Sequence, residues 1–270
     1  MLNPEIRIGC LYFMYLTGAL HQLGEHQEEL REAQRAGKVF PDLLNPRAYE
    51  VRALAAMGRL EEVNSLVDEI LKMPPRWGYP GCCIARGTPG YVMLAAAEEL
   101  RVHGYHDESV KMAILAEDWH RSRTGLEVRL EETRSGLGNS LYVAERFSEA
   151  KVVFAELFAV HPDSIEYKGR LGAIAARLGN REEARQLAEE LRLVERPYLR
   201  GNQLFRSARI RALLGEKGRA LALLKDAIAQ GSGVMEVADH YGYALIYSHC
   251  MDLESLRGYK PFEDLIKPKG

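Results

Sequence analysis

Six short turns punctuate this chain at Gly24, Gly58, Gly104, Glu145, Gly179 and Gly215, with a helical pattern on either side of each. The gaps between them are 34, 46, 41, 34 and 36 residues, so a unit of about 34 residues recurs and is twice lengthened. Apolar residues recur three and four apart, and no stretch sustains the alternation that a strand requires. One helix-turn-helix unit cannot bury its own apolar face, whereas a row of them stacks into a continuous core. The spacing predicts an all-α solenoid.

The clearest unit begins near Arg129. Leu137, Gly138 and Leu141 fall in its first helix, Glu145 at the turn, and Phe147, Ala150, Phe154 and Leu157 in its second, with Pro162 as the stop. Small residues let antiparallel helices approach, large ones fill the seam, and proline cannot continue the hydrogen-bond ladder. The next unit repeats this with Leu171, Gly172, Ala175, Gly179, Ala184, Ala188, Leu191 and Pro197. The others match in part. The first has Leu16, Gly24, Ala33, Ala36 and Pro41; the second has Ala53, Leu54, Gly58, Leu60, Val67, Ile70 and Pro75. The third has Ala97, Leu100, Gly104, Ala113 and Ala116, with Arg121 where a proline is usual; the sixth has Ala208, Gly215, Ala220, Leu224 and Ala227.

These residues resemble the tetratricopeptide repeat (TPR) family. The resemblance implies a right-handed α-solenoid of about six TPR-like units over residues 6–230, with repeats near 8–41, 42–75, 90–121, 129–162, 164–197 and 200–230. Residues 231–270 are expected to form a C-terminal capping helix pair, because a solenoid otherwise ends on an exposed apolar edge. Its first helix, over Val234–His249, carries Tyr241, Tyr243 and Tyr247. The ending also resembles the DPxxxxLRxxPRFxxLL tail that closes repeat arrays in many bacterial proteins, through Asp252, Leu256, Arg257, Pro261, Phe262 and Leu265. In that group the array often follows a serine/threonine kinase or a transcriptional regulator module, and neither module is present in this sequence.

Between the second and third units lies Met73–Gly90, a Pro- and Gly-rich insertion loop that holds Trp77, Tyr79, Cys82 and Cys83. Such a loop on a rigid scaffold is a place for individual function. The four cysteines form no CxxC pair, which fits reduced thiols and a cytoplasmic protein. Lys and Arg total 36 against 38 Asp and Glu, so no basic excess points to nucleic acid. The apolar run Ile8–Leu20 is 13 residues long, short of the roughly 20 that cross a bilayer, and no membrane association is expected.

Phosphate-cradling glycine motifs, nucleophile elbows and kinase signatures are absent from the sequence. His103 and His106 straddle the turn at Gly104, and no three ligands converge along the chain, so neither a metal nor a cofactor is expected. Glu131–Glu132 and Glu182–Glu183 open helices, where carboxylates meet the positive dipole end. The chain reads as a non-enzyme.

In the TPR family the first helix of each pair lines the concave face, and ligands are often extended peptides. The positions here that match that face are Arg52, Glu98, Arg101, Asn139, Tyr142, Arg177, Asn202 and Arg209, with Arg206 beside them. Arginines there would fork onto carboxylates and Asn139 would bond a peptide backbone. The chaperone-tail clamp of some family members needs lysines and asparagines that Ser135, Arg170 and Asn202 replace. The first helix is apolar all round from Leu11 to Leu16, so Leu11, Phe13 and Tyr15, with Trp77, form a second candidate interface and the basis for an expected homodimer. The function implied is a non-catalytic scaffold that binds a protein or peptide. The other reading is a regulatory or sensory segment that acts with a separate kinase or regulator.

Overall fold

A computed structural model of the chain describes residues 4–73, 88–125, 127, 130–232, 247 and 249–267, with side chains from residue 12 onward. Helices pair in sequence: α1 (Pro4–Gln22) with α2 (His26–Val39), α3 (Leu44–Ala56) with α4 (Leu60–Lys72), and α5 (Pro89–Val102) with α6 (His106–Arg121). Then come α7 (Glu131–Val143) and α8 (Phe147–Val160), α9 (Ile165–Arg177) and α10 (Arg181–Arg192), and α11 (Asn202–Leu213) and α12 (Lys217–Ala229). A 3-10 helix (Met251–Leu256) and a short α13 (Lys260–Ile266) follow, and no strand occurs among the described residues.

Every one of the six turns takes the left-handed backbone conformation, with φ of 76° at Gly24, 69° at Gly58, 87° at Gly104, 62° at Glu145, 81° at Gly179 and 80° at Gly215. Each closes its helix with the same pair of bonds. At the first, the Gly24 N–H donates to the His21 carbonyl and the Glu25 N–H to that of Leu20; at the fourth, Glu145 donates to Tyr142 and Arg146 to Leu141. This 6→1 and 5→2 pattern satisfies carbonyls that the helix end would otherwise orphan, and glycine favours it because a Cβ clashes at positive φ. Glu145 does the same work with a side chain in place.

The described residues fall into two compact units, the first running to Trp119 and the second starting at His120. In the first, α1 buries Phe13 against Ala36 and Phe40, and Met14 against Ala33 and Tyr49. Val63, Leu66, Val67 and Ile70 form the apolar stripe of α4. At the start of α5 the Thr88 hydroxyl accepts the Tyr91 N–H at 3.2 Å and Pro89 sits in the first turn, where its missing donor costs nothing.

In the second unit the small residues do what the repeat pattern demands. A Cβ on Gly138 would stand 2.9 Å from the Phe154 ring, so the glycine is what lets α7 and α8 close together. Ala184, Ala188, Leu191, Ile210 and Leu214 form one core cluster. Leu224, Ala227, Leu253, Leu256 and Phe262 belong to the next, with Tyr247 stacked on Phe205 at 4.8 Å between ring centres. Phe262 thus packs α13 against α11 and α12, and the aromatic and aliphatic side chains of this cluster each contribute roughly 1.5–3 kcal/mol by leaving water. Most of the helix expected over Val234–His249 lies outside the described residues.

Candidate functional site

Three first helices of the second unit, α7, α9 and α11, each aim one group at the same carboxylate. That carboxylate belongs to Asp252, which is fully buried in the 3-10 helix Met251–Leu256. Arg209 donates to its Oδ2 from Nε at 2.8 Å and from a terminal nitrogen at 2.6 Å. The Tyr142 hydroxyl donates to Oδ1, and Arg177 approaches the same oxygen at 3.5 Å while donating to the Met251 carbonyl at 3.0 Å. Each guanidinium lies over a ring: Arg209 over Phe205 at 5.8 Å and Arg177 over Phe147 at 5.6 Å. Ser255 adds a bond to the Ala212 carbonyl at 2.9 Å, and Leu253 and Leu256 are buried beside it.

The electrostatics follow from this packing. Burial alone would push the Asp252 carboxyl up, but Arg209, Arg177 and the Tyr142 hydroxyl outweigh it and hold the group down to about 2. Tyr142, buried and next to that anion, is pushed well above the ordinary phenol range. The site is a two-arginine clamp on a buried carboxylate and on the backbone carbonyl preceding it.

Tyr142, Arg177 and Arg209 are therefore the groove positions that the fold brings together. Arg206 pairs with Glu166, and the Asn202 amide oxygen accepts the Ser232 hydroxyl at 3.0 Å. The side-chain oxygen of Asn139 is out of water and has no hydrogen-bond partner among the described residues. In the first unit Arg101 is buried and Glu98 half-buried on α5, while Arg52 donates to Glu29 Oε1 at 2.6 Å. Of the second candidate interface, Phe13 is in the core and Tyr15 is exposed next to Tyr12; the Leu11 side chain and Trp77, like Cys82 and Cys83, lie outside the described residues. The expectation that the first helix is apolar on a free surface is corrected at Phe13, whose ring meets Phe40 edge-on at 6.2 Å.

Arg52 leads to a second buried cluster that sequence reading passed over. Glu29, with no exposure, holds His21 Nδ1 at 2.7 Å and His26 Nδ1 at 3.4 Å on its other oxygen. Glu99 faces His21 Nε2 at 3.4 Å and His103 Nε2 at 2.8 Å. Burial opposes the charge on Glu29, yet Arg52, His21 and His26 bring its carboxyl down to about 2. The available signal was the run His21, His26, Glu29 across one tight turn, together with the four-residue step from Glu99 to His103 on and just past the end of α5.

Comparison with solved structures gives a tetratricopeptide repeat protein from Parabacteroides merdae at a TM-score of 0.52 and 14% identity, covering 88% of this chain and 84% of that one. The chain folds as a tetratricopeptide-type solenoid. A structure of Naa15/Naa10 bound to HypK-THB also matches over 96% of this chain and 40% of that longer one, at 17% identity and a TM-score of 0.38. No protein-family model matches the sequence, and no curated protein matches it. The likeness lies in the TPR-like helix pairs and carries nothing about a kinase or regulator. Among the described residues no helix is long and apolar enough to cross a membrane.

Proposed function

We propose that this protein is a non-catalytic scaffold that binds a protein partner through a short acid-bearing segment. The observation that carries this reading is the convergence of Tyr142, Arg177 and Arg209 on Asp252. Those three positions match the peptide-facing helix of TPR repeats, and the group they hold is one side chain and one carbonyl of a short segment without α-helical pairing. In this chain the seat is filled in cis by Met251–Leu256. A partner with the same chemistry, an aspartate between a methionine and a leucine, competes for it.

A labelled peptide copying Cys250–Arg257 tests this against the full chain carrying Asp252→Asn, which keeps the shape of the seat's occupant while removing its charge. The expected result is binding at least about tenfold tighter than that of a peptide with asparagine at the aspartate position, since charge-assisted pairs to arginine carry roughly 1.5–3 kcal/mol each. Proteins retained by the wild-type chain should be released by the aspartate peptide and not by the asparagine one. A folded Asp252→Asn chain that binds both peptides equally, or neither, overturns the reading.

A further inference from the structure

We infer that the first unit carries a binding site for a divalent transition metal, made by His21, His26 and Glu29. One ligand atom from each of the three side chains lies within 4.8 Å of the other two, and both Nδ1 atoms approach the same Glu29 oxygen, His21 at 2.7 Å and His26 at 3.4 Å. Two imidazoles and one carboxylate are a donor set suited to zinc and its neighbours, whose ligands stand about 2.0–2.2 Å from the ion. The fold supplies all three from one short stretch. His21 lies in the last turn of α1, the left-handed turn at Gly24 reverses the chain, His26 opens α2, and Glu29 follows one turn later on the same face.

The surroundings supply what a ligand set needs behind it. A ligating imidazole is oriented when its other nitrogen meets a carboxylate, and His21 Nε2 faces Glu99 at 3.4 Å. A ligating carboxylate is held when its second oxygen is bonded, and Glu29 Oε1 takes the Arg52 Nε–H at 2.6 Å. Arg52 places a positive charge on the far oxygen of Glu29, while Glu29 and Glu99 together bring two carboxylates to the cluster. His21 and Glu29 are buried, but the His26 side chain is 19% exposed, which leaves a way in from solvent. On binding, the proton shared between His21 Nδ1 and Glu29 leaves to water and the ion takes its place.

The test uses the purified full chain, stripped with chelator and titrated with Zn²⁺ alone and with Co²⁺ alone. The expected result is one ion per chain, visible-range Co²⁺ absorption of a four- or five-coordinate centre, and affinity that falls at least about tenfold in His26→Ala. His26→Ala is the informative variant because this part-exposed residue can be removed without stranding a buried charge. His161→Ala, an exposed histidine in the other unit, should leave titration and spectrum unchanged. Failure to bind a stoichiometric ion, or equal affinity in wild type and His26→Ala, overturns the proposal. Since the readout is metal content and spectrum, it stands or falls apart from peptide binding.

Discussion

Arg209 grips one oxygen of Asp252 through two nitrogens, at 2.6 and 2.8 Å, and both side chains are out of water. Two charges are held there only because each satisfies the other, and Arg177 leans on the same carboxylate. Removing one partner is worse than removing both. Asp252→Ala should lower stability by about 3–5 kcal/mol in urea unfolding, while Arg209→Met combined with Asp252→Leu should recover most of that loss. An Asp252→Ala chain as stable as wild type would show that the clamp is not formed in solution.

Glu145 occupies the one repeat turn that holds a left-handed backbone without glycine, at φ 62°. A side chain there costs about 1–2 kcal/mol, partly offset by glycine's greater freedom in the unfolded chain. Glu145→Gly should raise stability by about 1 kcal/mol, and Gly179→Ala, the reverse change at φ 81°, should lower it by a similar amount. Urea midpoints of the two variants measure both signs.

Acid should weaken the second unit in two stages. Burial, with Arg123 adding to it, lowers His120 to about 4 from the ordinary 6.5, so the unfolded chain takes up this proton first. Stability falls between pH 6.5 and about 4, by roughly 3 kcal/mol in all. Asp252, held at about 2 against an ordinary 3.8, contributes fully above 3.8 and loses its contribution as pH falls through 2. Unfolding free energy measured from pH 7 to 4 should drop in wild type and drop less in His120→Gln; an equal slope in both would exclude His120 as the source.

Gly138 has room for no Cβ beside Phe154. Gly138→Val should push α7 from α8 and cost about 1–3 kcal/mol, and pairing it with Phe154→Leu should recover part of the loss. Additive costs in the double variant would mean that the two positions are not in contact.

On α1, Phe13→Ala should cost about 3–5 kcal/mol because its ring is packed on Phe40 and Ala36. Tyr15→Ala, on an exposed position of the same helix, should stay within about 0.5 kcal/mol. Thermal unfolding of the two proteins separates a core face from a surface face.

The turns and the helix pairs are legible in the sequence alone, because both are local. A left-handed glycine, a small residue at a fixed offset and an apolar stripe act over a few residues, and all six turn positions read from the chain carry the conformation they require. The polar chemistry was only half legible. Tyr142, Arg177 and Arg209 could be placed on the first-helix face by repeat position. What they hold could not, since Asp252 is 110, 75 and 43 residues away from them in sequence. Phe13 shows the same limit on the apolar side: a helix hydrophobic all round does not say which side meets a neighbour.

The residues by themselves therefore determined a row of helix pairs, where each pair turns, and which positions carry charge along one face. Tertiary structure alone decided that the charges of the second unit close on the chain's own Asp252, and that His21, His26 and Glu29 gather around one buried point. Backbone geometry is set by each residue's own steric limits and its near neighbours. The partner of a buried charge is set by whatever group the fold carries out of water beside it.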